Sequence, residues 1–156
     1  MAISPNVNFT SGQILTATQQ NQFPRGIMAL TTSNSSSASI TAETITLTSS
    51  SFTAVANRYY KITYYEPLLQ PASSSPTGYI SARIRLTNIS GTVLQATDIE
   101  ASNGPDGQIM ILTTVTTLTA GTTTLCGTLA GVSNSVVAFG NASVKRLIMV
   151  EDIGPA

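Results

Sequence analysis

The sequence predicts an all-β chain: an antiparallel β-sandwich of jelly-roll type, preceded by an extended N-terminal arm that carries one short helix. Three observations carry this prediction. Apolar residues recur with a period of two, most cleanly in residues 79–86, where Ile80, Ala82, Ile84 and Leu86 share one face and Tyr79, Ser81, Arg83 and Arg85 the other. Turn-forming runs rich in Gly, Asn, Ser and Pro break the chain at intervals of about 8 to 12 residues, the spacing of sandwich strands. Serine and threonine supply roughly a quarter of the residues and sit mostly inside apolar patterns, which suits pleated, half-buried surfaces better than disorder. No fixed repeat marks a solenoid or propeller.

The central element is residues 58–67, Arg-Tyr-Tyr-Lys-Ile-Thr-Tyr-Tyr-Glu-Pro, which hold Tyr59, Tyr60, Tyr64 and Tyr65 of the chain's 5 tyrosines. In an extended chain Tyr60, Ile62 and Tyr64 face one way and form the core side. Lys61 on the other side faces solvent or a subunit boundary, and Pro67 closes the strand.

Before this strand, residues 1–27 scatter Ile3, Val7, Phe9 and Ile14 among polar residues, the texture of an arm. Thr16 and Gln19 have capping-box spacing, and Pro24 stops what they start, so a short helix is expected at about residues 17–22. Leu15 and Phe23 flank it and need cover, either on their own subunit or on another. Strands follow at residues 28–32, 40–48 and 52–55. After the tyrosine strand, residues 70–78 form a loop, and residues 79–86 pair with 92–97 across the turn at 88–91. Residues 98–107 form a loop and 108–118 a long strand. Residues 122–130 and 136–139 are further strands, and residues 142–153 form the last one. Leu147, Ile148, Met149 and Val150 in that last strand are apolar without alternation, as where both faces are covered.

Composition excludes several functions. Only 9% of residues are charged and the formal net charge is zero, so nothing draws the chain to nucleic acid or anionic membrane. Low charge beside 42% apolar content suggests surface hidden by partners. With no histidine the commonest general base and metal ligand is missing, and the one cysteine, Cys126, is expected in the core. Asp98, Glu100 and Asp106 lie near Asn103 in one predicted loop, but their spacing is not that of a calcium-binding loop, and the cluster is expected to be solvated. Glu151 and Asp152 point to opposite faces and cannot act as a pair. Arg83 and Arg85 fit an ion-paired or solvated outer face better than a clamp for sugar or carboxylate. No phosphate loop, nucleophile elbow or nucleotide fingerprint is present, so no catalytic residue, metal or cofactor is expected and the chain does not read as an enzyme.

Four stretches, taken in order, resemble small virion proteins of tailed bacteriophages, of the minor-tail, tail-fibre-like or capsid-decoration kind. They are the opening Phe9-Thr10-x-Gly12-x-x-Leu15-Thr16-Ala17-x-x-x-Asn21, the strand Arg58-Tyr59-Tyr60-Lys61-Ile62, the turn Leu118-Thr119-Ala120-Gly121-Thr122, and the ending Val150-Glu151-Asp152-Ile153-Gly154-Pro155-Ala156. This resemblance implies a structural component on the particle surface; the N-terminus has no basic segment followed by an apolar run, so the chain is expected to be made in the host cytoplasm without a signal peptide. It also implies self-association, as a homotrimer, and contact with other virion proteins or a host surface glycan. The arm, residues 1–27, would attach through Ile3, Val7, Phe9, Ile14, Leu15 and Phe23, and residues 28–156 would form the β domain. A free jelly-roll carbohydrate-binding module is the alternative; the chain has no tryptophan for its aromatic platform.

Overall fold

The computed structural model describes residues 11–71, 79–100, 107–132 and 135–156. Among the described residues a single helical turn, α1 (Ala17–Gln20), precedes eleven strands: β1 (Gly26–Ser33), β2 (Thr44–Thr48), β3 (Phe52–Ala54), β4 (Arg58–Pro71), β5 (Tyr79–Leu86), β6 (Val93–Glu100), β7 (Gln108–Thr117), β8 (Gly121–Thr123), β9 (Leu125–Val132), β10 (Val136–Ala138) and β11 (Arg146–Pro155).

Setting aside the three-residue strands β3, β8 and β10, the long strands divide into two antiparallel sheets. One runs β1-β11-β4-β7 and the other β2-β9-β5-β6. Consecutive long strands cross from one sheet to the other, except the β5–β6 hairpin, and the first and last strands lie side by side. That order is the double Greek key of a jelly roll. Tyr60, Ile62, Tyr64, Ile148 and Val150 from the first sheet meet Ile80, Ala82, Ile84 and Leu129 from the second, all 2% exposed or less. Each strand contributes every second residue, as the period-two pattern requires.

Close packing explains one glycine. A Cβ on Gly127 would stand 2.5 Å from Cε2 of Tyr64, so the β9 backbone must stay bare for the buried ring to lie flat across it.

The strand expected at residues 79–86 has those bounds, and its core face is the expected one. Several expectations need correction. Pro67 does not end the tyrosine strand: β4 continues to Pro71, and the register with β7 shifts between Glu66 and Leu69, a bulge that accommodates a residue without an N–H. Gln70 and Pro71, expected in a loop, belong to this strand; the rest of that loop lies outside the described residues. Residues 98–100 are strand, since β6 runs on to Glu100 beside Tyr79. The expected strand at residues 122–130 is two: β8 pairs with β3, and β9 begins at Leu125 and runs through Gly131. Residues 40–43 precede β2, with Ile40 making a single bridge to Val136. The helix is shorter than expected, and β1 starts at Gly26.

β11 also differs from its apolar sequence. Ile148 and Val150 are fully buried, whereas Leu147 and Met149 are only half-buried on the opposite side. Among the described residues one face of this strand is covered.

Candidate functional site

The buried rows of the two central strands have a common design. On β4 the inward residues read Arg58, Tyr60, Ile62, Tyr64, Glu66; on β11 they read Arg146, Ile148, Val150, Asp152. Each row is apolar with a charge at either end. Because β11 lies antiparallel to β4, Arg58 meets Asp152 and Glu66 meets Arg146. A parallel alignment would set arginine against arginine and carboxylate against carboxylate, so the end charges select the direction of pairing.

At one end, Arg146 Nε and Nη2 donate to Glu66 Oε2 and Oε1 at 2.6 and 2.8 Å. Glu66 Oε1 also accepts from the Tyr64 hydroxyl at 2.7 Å, and Thr46 Oγ1 lies 2.5 Å from that hydroxyl. Burial, then the Glu66 charge, pushes the Tyr64 phenol well above its ordinary range. A cleft of about 280 Å³ opens beside this end among Ser33, Ser35, Ser36, Ser37 and Thr44. Arg146 reaches it with its donors engaged by Glu66 and by the carbonyls of Ser35 and Thr46.

At the other end the ion pair holds the arm. Arg58 grips Asp152 through Nε and Nη2, at 2.5 and 2.7 Å, and donates from Nη1 and Nη2 to the carbonyls of Asn21 and Phe23 at 2.5 and 2.6 Å. These carbonyls lie just past α1, where a helix leaves acceptors without internal partners. The expected capping box is present: Gln19 N–H donates to Thr16 Oγ1 at 3.2 Å, and Thr16 N–H donates to Gln19 Oε1 at 3.0 Å.

Of the predicted attachment residues, Ile3, Val7 and Phe9 lie outside the described residues. Ile14, Leu15 and Phe23 are 89%, 49% and 39% exposed. The base of the arm is therefore fixed to its own domain, while Ile14 and Leu15 project away from it. Arg58 and Asp152 were missed by motif reasoning. Their signal was in the alternation, since Arg58 is two residues before Tyr60 and Asp152 two after Val150.

Several other polar candidates are also engaged. Arg85 forks onto Glu43 at 2.6 and 2.8 Å, Arg83 Nη1 lies 3.1 Å from Glu43 Oε2, and Thr128 Oγ1 donates to Glu43 Oε1 at 2.6 Å. The expected ion-paired face is observed, with a carboxylate of the chain itself in the arginine clamp. Asp98 accepts from Ser81. Asp98 and Glu100 lie on β6 instead of in a loop, whereas Asn103 and Asp106 are outside the described residues. Among the described residues no group of three His, Cys, Asp or Glu could hold a metal ion. Cys126 is fully buried, its thiol directed at the Thr87 carbonyl. Glu151 turns outward to Lys61 and Asp152 inward, as their adjacency requires. No helix among the described residues is long and apolar enough to cross a membrane.

The Arg85 hydrogen bonds, with help from Thr128 and the charge of Arg83, hold Glu43 at about 2 against their opponent, burial. A folded-state value below the ordinary 4.5 stabilises the fold above pH 4.5, and that contribution is lost as pH falls toward 2. Thermal melts should therefore show Glu43→Gln less stable than the parent at neutral pH, with the gap closing across that acid window. A gap independent of pH would refute the assignment.

The fold defines the class as a jelly-roll domain. No protein-family profile and no curated protein matches the chain. Among solved structures, that of the infectious bursal disease virus Gx strain matches with a TM-score of 0.45 at 13% identity, over 85% of this chain and 37% of that one. The enzymatically active domain of tailspike protein 4 from bacteriophage CBA120 matches at 0.32 and 13% identity, over 80% and 18%. CsCBM6-3 from Clostridium stercorarium, in complex with cellobiose, matches at 0.30 and 10% identity, over 80% and 92%. The chain thus spans little more than a third of the viral chain it matches. At these scores the likenesses carry no argument about function, and the jelly-roll assignment rests on strand order.

Proposed function

We propose that the chain is a non-enzymatic structural protein of a tailed-bacteriophage virion, exposed on the particle surface as a tail-fibre-like, minor-tail or capsid-decoration component, with the residues before β1 as its attachment arm, since residues 26 and 27 of the expected 1–27 arm belong to that strand. The observation that carries this reading is the clamped arm: Arg58 fixes the carbonyls of Asn21 and Phe23, while Ile14 and Leu15 face outward. An arm with a rigid base and an uncovered apolar end suits docking on a neighbouring protein, because contacts there must offset the roughly 1–2 kcal/mol of backbone entropy lost per ordered residue. The resemblance of four stretches to small phage virion proteins supports the same reading. So does the use of nine of the thirteen charged residues among those described in internal ion pairs, which assigns most of that charge to architecture.

The test is co-sedimentation with assembled particles. The double variant Ile14→Asp/Leu15→Asp should keep the parent's circular dichroism and melting temperature and lose incorporation. Undiminished incorporation would refute the arm as the anchor.

A further inference from the structure

The two sheets differ on their outer sides. Over β9 and β5, the small residues Cys126 and Thr128 are sealed from solvent beside the charged cluster of Glu43, Arg83 and Arg85. Among the described residues nothing gives the outer side of β1-β11-β4-β7 such cover. The observed registers set its outward side chains in rows: Thr32, Leu147, Tyr65 and Ile111; then Leu30, Met149, Thr63 and Thr113; then Ile27, Glu151, Lys61 and Val115. Ile111 is 65% exposed, Ile27 59% and Val115 53%.

We propose that this face is where a second copy of the chain packs, face against face about a two-fold axis; the proposal rests on reading the chain as a component that assembles. Charge identifies the occupant. Lys61 and Glu151 are the face's charged residues in these rows, adjacent and of opposite sign, with Lys61 Nζ 3.3 Å from Glu151 Oε2. The face is therefore neutral and does not attract an anionic surface. A copy turned about a two-fold axis sets its glutamate opposite Lys61 and its lysine opposite Glu151, so no unpaired charge is buried. Four strands about 4.8 Å apart and three rows about 6.7 Å apart give a projected face of roughly 400 Å², which with its standing side chains falls at the small end of specific interfaces, below the ~800 Å² per partner of a standard one.

One feature of the chain points the same way: the run Leu147 to Val150 is apolar on both sides of a strand that the described residues cover on one.

A two-fold contact gives a dimer or, combined with the trimer that the sequence resemblance implies, a hexamer. The chain count is even in both cases. Light scattering on the purified full chain, without particles, should show an even multiple of 16.2 kDa. The variant Ile111→Lys/Val115→Lys should halve that mass or raise the half-assembly concentration at least about 30-fold, because a two-fold contact would then enclose four unpaired ammonium groups. The control Val93→Lys/Gln95→Lys, on the other sheet, should leave it unchanged. If the lysine variant fails to fold by circular dichroism, Ile111→Thr/Val115→Thr keeps the strand's β-formers and should weaken assembly in the same direction. A monomeric or solely trimeric parent, or face variants that assemble like the parent, would overturn the proposal. Because no particle is present, failure of virion incorporation leaves this result unaffected.

Discussion

Arg146→Ala is expected to destabilise the folded chain by about 3–5 kcal/mol, because it leaves the Glu66 carboxylate charged and enclosed without its cation. Glu66 is fully buried and Arg146 is 3% exposed, so water cannot replace the lost partner as it could around the more open Glu43 cluster. Tyr64 and Thr46 still reach Glu66, but two neutral hydroxyls do not balance a full charge. The contrasting variant is the double replacement Arg146→Met/Glu66→Leu, which removes both charges, keeps approximate volume and should recover most of the loss. Denaturant melts of the parent, single and double variants measure this directly. If the single variant loses less than 1 kcal/mol, the pair is more accessible to water than its burial implies; if the double variant is as unstable as the single, the network matters through shape and not through charge.

This comparison shows what could be read from the sequence. Alternation at residues 79–86 and 58–65 placed Ile80, Ala82, Ile84, Tyr60, Ile62 and Tyr64 in the core, because a half-buried strand has one apolar side and a period of two. The capping box was equally legible, since it needs only two residues three apart. Strand ends were less so. Proline predicts the end of a strand, but at Pro67 it occupies a bulge where the ladder asks for no donor, and only the partner strand reveals that. The charged ends of the buried rows were hidden for a similar reason. Arg58 and Asp152 each look like a surface charge until β11 is laid antiparallel to β4, ninety-four positions apart in sequence. Of the proposed attachment residues, the sequence could nominate Ile14, Leu15 and Phe23 as apolar without a helix or strand period. It could not show that Arg58 holds the segment's base, since that contact is made by backbone carbonyls, which every residue has.

Arg58→Ala should accordingly have two separable effects. The first is global: it strands Asp152, which is 1% exposed, and should cost about 3–5 kcal/mol, with the Gly154 N–H at 3.0 Å as the carboxylate's remaining close donor. The second is local. The carbonyls of Asn21 and Phe23 lose donors at 2.5 and 2.6 Å, so α1 and its flanks lose their tie to β4. Amide exchange in residues 17–23 should then quicken by more than the global destabilisation explains. Arg58→Lys is the discriminating companion: an ammonium can stay near Asp152 but cannot extend a planar fork to the carboxylate and two carbonyls at once. It should retain much of the global stability while still loosening the arm. Exchange that rises equally across α1 and the central strands in both variants would mean that the arm is held by contacts other than Arg58, and the clamp would then be an ion pair of the β domain alone.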